Sequence, residues 1–387
     1  MFLLIKNGDI FTPHAIGKND ILTCAGKIIK IAKNIPEPDG YLTEVIDATG
    51  MSVTPGFIDS HMHLIGAGGS GGPESRSRCI PLSTIARAGV TTAIGMLGLD
   101  SVGFSPRDLY FRAQALEREG LSAFILTGSY ALPSVTITGS VATDIVLIDK
   151  AVGLKIAMRE AASESPSKEQ LRQIIVEVMR AGRWSGKAGV VVAHQGDLVE
   201  SLDWVCTMME EQMIPMRHFV ATHINRSPEV FEDAIACGKR GMILDLTGNI
   251  PYKPESIPAS KAFRLMLEAG VPIENITFTS DAGPYLVVDG KDVILPVDIC
   301  ARELQLMVKK EKLSLSDALA PLTTNPARIY SLDSTKGSLE PGKDADILLL
   351  DDNLNVDIVV AKGKTLVKAG KPVVRDRMEE LHNNMLK

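Results

Sequence analysis

Aromatic residues are scarce in this chain, at 5% of 387 residues, too few for an aromatic-rich recognition surface. Excess positive charge is absent: the formal net charge is -6, which argues against a protein that grips nucleic acid through its phosphates. No apolar run approaches the roughly 20 residues needed to cross a bilayer. The N-terminal MFLLIKNGDIF lacks the charged start and long apolar core of a secretion signal. Cysteines number five (Cys24, Cys79, Cys206, Cys237 and Cys300), scattered and without a CxxC pair. That excludes a disulfide framework and suits a reducing compartment. A cytoplasmic protein with neither nucleic-acid nor membrane partners is expected. Glycine, by contrast, is plentiful, with 33 residues, and favours an enzyme with many tight loops.

The two ends read alike. LLIKNGDIFT, ILTCAGKIIKIA and TEVIDA near the start, and DADILLLD and VDIVVAKGKTLVKAGK near the end, are short strand runs broken by turn residues. They predict one small β-sandwich domain built from residues 1–54 and 334–387. Between them lie about eight short apolar runs: GFIDSHMHL, TTAIGML, SAFILTGSY, GLKIAM, GVVVAHQGD, HFVATHIN, MILDLTG and ITFTSD. Amphipathic stretches such as RDLYFRAQALEREG and KEQLRQIIVEVMRAGR separate most of them. Near-continuous Val/Ile/Leu runs suit strands buried on both faces. Eight such units over residues 55–333 predict an α/β fold, a (β/α)₈ TIM-like barrel. An open doubly wound sheet is the alternative, weakened because no GxGxxG follows the first strand. Gly363-Lys364-Thr365 is not a P-loop, since no glycine stands five residues before Gly363. GAGGSGG, residues 66–72, reads either as a phosphate cradle or as a mobile loop beside a substrate.

Barrel chemistry gathers at the C-terminal ends of the strands. Two histidines, His61 and His63, stand at i and i+2 and so share a strand face. His194 and His223 fall at the ends of strands five and six, and Asp281 at the end of strand eight. A lone strand-end histidine is more often a satisfied core residue. Four of the chain's seven histidines at strand ends, with an aspartate, point to a metal site. Lys155 stands inside the apolar run GLKIAM and has two readings. It snorkels or pairs with an acid, or its amine takes up carbon dioxide as a carbamate that bridges two cations. In the second case His61, His63 and Asp281 would hold one ion and His194 and His223 the other, ~3.5–4 Å apart. The spacing alone does not choose between them.

PGFIDSHMHL, LTGSYALPSVTITGS, VGLKIAM, VVVAHQGD, ATHINR, SDAG, ALAPLTTNPA and GSLEPGKDADILLLD resemble the amidohydrolase superfamily along nearly the whole chain and, within it, the isoaspartyl dipeptidase (β-aspartyl peptidase) family. The resemblance implies a binuclear zinc site with His61, His63, carbamylated Lys155, His194, His223 and Asp281 as ligands. It implies that Tyr130 polarises the scissile carbonyl or steadies the oxyanion, that Arg226 holds the substrate's α-carboxylate, and that the protein assembles into tetramers or octamers. It implies hydrolysis of a small amide or β-aspartyl dipeptide by a metal-bridging hydroxide, with Asp281 moving the proton.

Four positions depart from that family. Its acid in the Gly-rich loop is Ser70 here, its hydroxyl residue after strand two is Leu99, its second arginine is Ala162, and its small hydroxyl residue after the strand-eight aspartate is Tyr285. Glu74 and Arg159 are candidates to take over the lost charges. Three readings therefore stand: an isoaspartyl dipeptidase with altered recognition; another amidohydrolase acting on a cyclic amide or N-acyl amino acid, of dihydroorotase or hydantoinase type; and a catalytically dead scaffold, disfavoured because all six ligands remain.

Overall fold

The structure, a computed structural model, describes residues 2–69, 71–197, 200–248, 255–288 and 291–385. Five strands open the chain: β1 (Phe2–Phe11), β2 (Ala15–Cys24), β3 (Lys27–Ala32), β4 (Thr43–Asp47) and β5 (Ser52–Pro55). Eight strands follow in parallel: β6 (Phe57–Met62), β7 (Val90–Gly95), β8 (Ser122–Gly128), β9 (Ala151–Met158), β10 (Val190–Gln195), β11 (Phe219–Thr222), β12 (Ile243–Thr247) and β13 (Ile276–Thr279). They pair in chain order, and a bridge between Met62 and Ala282 brings the last unit back to the first. This is the expected TIM-like barrel. All eight apolar runs became barrel strands.

Every residue of β6, β7, β9, β10, β11, β12 and β13 is buried, which is why these segments read as continuous hydrophobic runs. The helices between them carry their own start and stop signals. Ser105 caps the helix Pro106–Glu119 and Gly120 ends it in the left-handed region. Ser167 and Gln170 form a capping box on Lys168–Ser185.

A hairpin of β14 (Tyr285–Val288) and β15 (Lys291–Ile294) follows the barrel. The chain then closes with β16 (Ile347–Leu350), β17 (Val356–Ala361), β18 (Lys364–Lys368) and β19 (Lys371–Pro372). Gly363 turns the chain between β17 and β18, so the GKT triplet belongs to a hairpin. Strands from both chain ends join in one nine-stranded sheet. One edge of β1 pairs with β4 along residues 2–6 and with β5 at residues 9–10. That shared edge lets the sheet fold over a core of its own, including Leu3, Ile10, Ile21, Val53, Ile347, Leu349 and Val360. The hairpin and a last helix, Arg377–Met385, were not foreseen from the sequence. Asp376, just before that helix, accepts from the Leu82 N–H at 3.2 Å and from Arg112.

Along each barrel strand, alternate residues share one face. Val190, Val192 and His194 form one such series; Val220 and Thr222 a second; Ile243, Asp245 and Thr247 a third. The lower members, Val190, Val192, Val220 and Ile243, pack with Ile94, Leu126 and Val152 and with Tyr330 and Leu332. The barrel is plugged below mainly by hydrocarbon.

Candidate active site

Those strand ends bring all six sequence-predicted ligands together. His61 lies in β6 and His63 one residue past its end. Their Nε2 atoms stand 3.3 and 3.2 Å from one carboxylate oxygen of Asp281. Donor atoms of these three residues all lie within 4.8 Å of one another, close enough to hold a metal ion. Lys155 reaches His61 Nε2 with its Nζ at 3.1 Å. The His61 and His223 rings lie 4.9 Å apart, and those of His223 and His194 4.7 Å.

The backbone turns sharply to present them. His223 and Asp281 follow β11 and β13 with φ of 66° and 50°, a left-handed conformation that costs a non-glycine residue of order 1–3 kcal/mol and clusters at functional sites. Gly283 lets the chain return against His63: a Cβ there would lie 2.9 Å from the His63 carbonyl oxygen, at φ 111°.

Burial drives the pKa values of His61, His194 and His223 well below the ordinary imidazole range, and neighbouring cationic groups push the same way. Neutral imidazoles have free lone pairs, the form that binds metals. Burial also pushes Lys155 down to about 7, against the pull of Asp281 and Asp245. His63 Nδ1 is buried with no hydrogen-bond partner among the described residues. Neutral imidazoles, a shared carboxylate and a lysine with a depressed pKa are a donor set that fits divalent cations.

A layer missed in the sequence supports these groups. Asp245, fully buried, accepts from Thr222, Thr277 and Thr279 at 2.5, 2.7 and 2.8 Å. The Thr222 hydroxyl donates its hydrogen bond to Asp245, so its oxygen accepts from His61 Nδ1 at 3.3 Å and turns His61 Nε2 toward the centre. Thr247 meets His223 Nδ1 at 2.5 Å. Asp59 accepts from Ser280 and from the His61 N–H. Burial raises Asp245 to about 6 and Asp59 to about 7, opposed in each case by these hydrogen bonds. The signal was polar residues at every second position of otherwise apolar strands, ILDLT and ITFT.

Tyr130 and Arg226 meet at His194. The Tyr130 hydroxyl lies 2.7 Å from Nδ1, and Arg226 Nη1 donates to Nε2 at 3.0 Å and to the Gln195 carbonyl at 2.6 Å. Asp197 lies 3.3 Å from Arg226 Nε. Ser70 lies outside the described residues. Leu99 is exposed after β7, and Ala162 is exposed in the turn after β9. Tyr285 opens the hairpin, where its hydroxyl donates to Asp292 at 2.5 Å, and it lines a cavity of about 700 Å³ with Arg76–Pro81 and Leu295–Asp298. Of the two candidate replacements, Glu74 is exposed in a short 3₁₀ turn, and Arg159 is buried 3.9 Å from Asp233. An acid that the sequence reading passed over, Glu160, stands 3.4 Å from His194 Nε2. His218 is the satisfied core histidine expected of a lone one: its Nδ1 bonds the Gly189 carbonyl at 2.8 Å.

The amidohydrolase family pattern matches residues 52–366. The crystal structure of a β-aspartyl dipeptidase from Fervidobacterium islandicum AW-1, in complex with β-Asp-Leu dipeptide, is similar at TM-score 0.88 and 35% identity, over 96% of this chain and 98% of that one. A dihydroorotase from Aquifex aeolicus is 26% identical over 95% of each chain. The D-hydantoinase from Thermus sp. shares the fold, with TM-score 0.68 and 19% identity over 97% of each chain.

Proposed function

The chain belongs to the amidohydrolase family, hydrolases of C–N bonds, and from that premise we propose that it cleaves β-aspartyl dipeptides or a closely related small amide. The observation that carries this reading is the meeting of Tyr130 and Arg226 on one imidazole of a six-residue ligand cluster. Support for the substrate comes from the 35% identity to the β-aspartyl dipeptidase.

We assign His61, His63, Lys155, His194, His223 and Asp281 as ligands of two divalent ions, with zinc the expected metal and Lys155 carbamylated by carbon dioxide. Such ions, when bound, acidify a water and polarise the scissile carbonyl. The protein's own groups do the rest. Lys155, with its pKa near 7, has a neutral amine available at neutral pH, the form that reacts with carbon dioxide. Arg226 fixes the substrate's carboxylate with a guanidinium fork. Tyr130 donates to the carbonyl oxygen as negative charge grows there. Asp281 takes the attacking water's proton and delivers it to the leaving nitrogen. The buried walls and the hydrocarbon plug below keep bulk water out from beneath.

We further take residues 1–54 and 334–387 as the small domain and 55–333 as the barrel, and expect a cytoplasmic tetramer or octamer. Among the described residues no helix is long and apolar enough to cross a membrane.

A second reading, a cyclic-amide hydrolase of dihydroorotase or hydantoinase type, is favoured by the full-length dihydroorotase relatives and by the apolar Leu99, four residues past β7. Turnover of β-aspartyl-leucine, dihydroorotate and hydantoin by one zinc-loaded preparation decides between the two.

A further inference from the structure

Building on the β-aspartyl reading, we infer that Glu160 binds the substrate's ammonium group, beside Arg226 on its carboxylate. The pair then selects ω-amides of acidic α-amino acids. The loop that carries the family's acid offers Ser70 instead, so an ammonium needs a carboxylate from elsewhere.

Glu160 lies two residues past β9, the strand that carries Lys155. Its Oε2 stands 3.4 Å from His194 Nε2, the nitrogen that Arg226 Nη1 reaches at 3.0 Å. One ring atom is therefore flanked by a carboxylate and a guanidinium. An α-amino acid head carries its ammonium and carboxylate on a single carbon, which matches two opposite charges set side by side. The Glu160 side chain keeps 23% of its surface exposed, against 8% for His194, so it faces an accessible part of the site.

The position is built rather than accidental. Arg159 adopts φ 59° and lies 3.9 Å from Asp233, while its neighbour Glu160 reaches His194. The Ala162 N–H holds Oε1 at 3.3 Å, and the Glu160 carbonyl accepts from Ser163 N–H and Oγ at 3.1 Å. The end of β10 packs directly on this backbone: a Cβ on Gly196 would lie 2.3 Å from the Arg159 oxygen and 2.5 Å from the Glu160 Cα. A carboxylate held this firmly disfavours substrates that leave it unpaired. Uncharged cyclic amides are such substrates.

The test compares β-aspartyl-leucine with N-succinyl-leucine, which is the same molecule without its ammonium, on zinc- and bicarbonate-loaded protein. We expect the wild type to prefer β-aspartyl-leucine by about 100-fold in kcat/KM. Glu160→Gln should lose roughly 10- to 100-fold on that substrate, chiefly in KM, and stay within a few-fold on N-succinyl-leucine, as loss of a charge-assisted bond implies. Glu160→Asp should retain part of the preference and serves if the Gln variant folds poorly. Calorimetry on metal-free protein supplies a second readout: Glu160→Gln should weaken L-aspartate binding and leave succinate binding unchanged. A preference that survives both substitutions overturns the inference and spares the β-aspartyl reading. So does an equal loss on both substrates, which would mean that Glu160 only positions His194. Failure of the wild type to cleave either substrate removes the reading and the inference together, before any variant is made.

Discussion

Replacing Lys155 with methionine should make the metal-free protein more stable and the metal-loaded protein inactive. Lys155 is 1% exposed, and burial pushes its pKa from 10.5 to about 7. The folded-state value lies below the unfolded one, so between pH 7 and 10.5 the unfolded chain holds more protons and stability rises with pH. The ionisation penalty is full below pH 7 and gone above 10.5. At 1.36 kcal/mol per pKa unit it amounts to about 5 kcal/mol at pH 6 and about 2 kcal/mol at pH 9. Methionine is unbranched and fills nearly the same space. Its cost is the donor lost by His61 Nε2, about 1 kcal/mol. The net gain in Lys155→Met should be about 4 kcal/mol at pH 6, shrinking to about 1 kcal/mol at pH 9. Urea titration of both proteins in chelator and carbon-dioxide-free buffer, followed by circular dichroism at the two pH values, measures this. A variant less stable than wild type at pH 6, or a difference that does not change with pH, would refute the reasoning. The same variant supplied with zinc and bicarbonate should show no turnover, which makes Lys155 a residue kept at the expense of the fold.

Other outcomes follow from the same geometry. Thr222→Val breaks the link from Asp245 to His61 and should raise the zinc dissociation constant about 10- to 100-fold in a chelator competition; an unchanged constant would remove the orienting role. Tyr130→Phe should lower kcat about 10²- to 10³-fold with KM nearly unchanged, as expected for a donor that acts on developing charge. Asp281→Asn should abolish turnover even in preparations whose metal content matches the wild type, and retained activity would end its assignment as the proton carrier. Chelation should silence the enzyme reversibly, and recovery should need bicarbonate as well as zinc.

The parts legible in the sequence are those whose physics is local. A strand buried on both faces is mostly apolar, so β6 to β13 stood out as short apolar runs, and a polar side chain at the end of such a run was conspicuous. His61, His63, Tyr130, Lys155, His194, His223 and Asp281 were singled out as candidates that way, and Arg226 through the resemblance. The supporting layer was harder. Thr222, Asp245 and Thr247 look like ordinary strand residues until neighbouring strands place Asp245 against three threonine hydroxyls. Glu160 escaped notice because its place depends on the turn at Arg159 and on the close approach of Gly196, neither of which has a signature in a single sequence. The hairpin of β14 and β15 is short and half-exposed, with little periodicity to read. The contact of the Tyr285 hydroxyl with Asp292 lies within that hairpin and was equally hidden.

The most direct test of the account is the turnover of β-aspartyl-leucine by protein whose zinc content has been counted. Two ions per chain and a kcat/KM of about 10⁴ M⁻¹s⁻¹ or more are the predicted result. Protein that holds both ions and leaves β-aspartyl-leucine intact while opening dihydroorotate or hydantoin would contradict it.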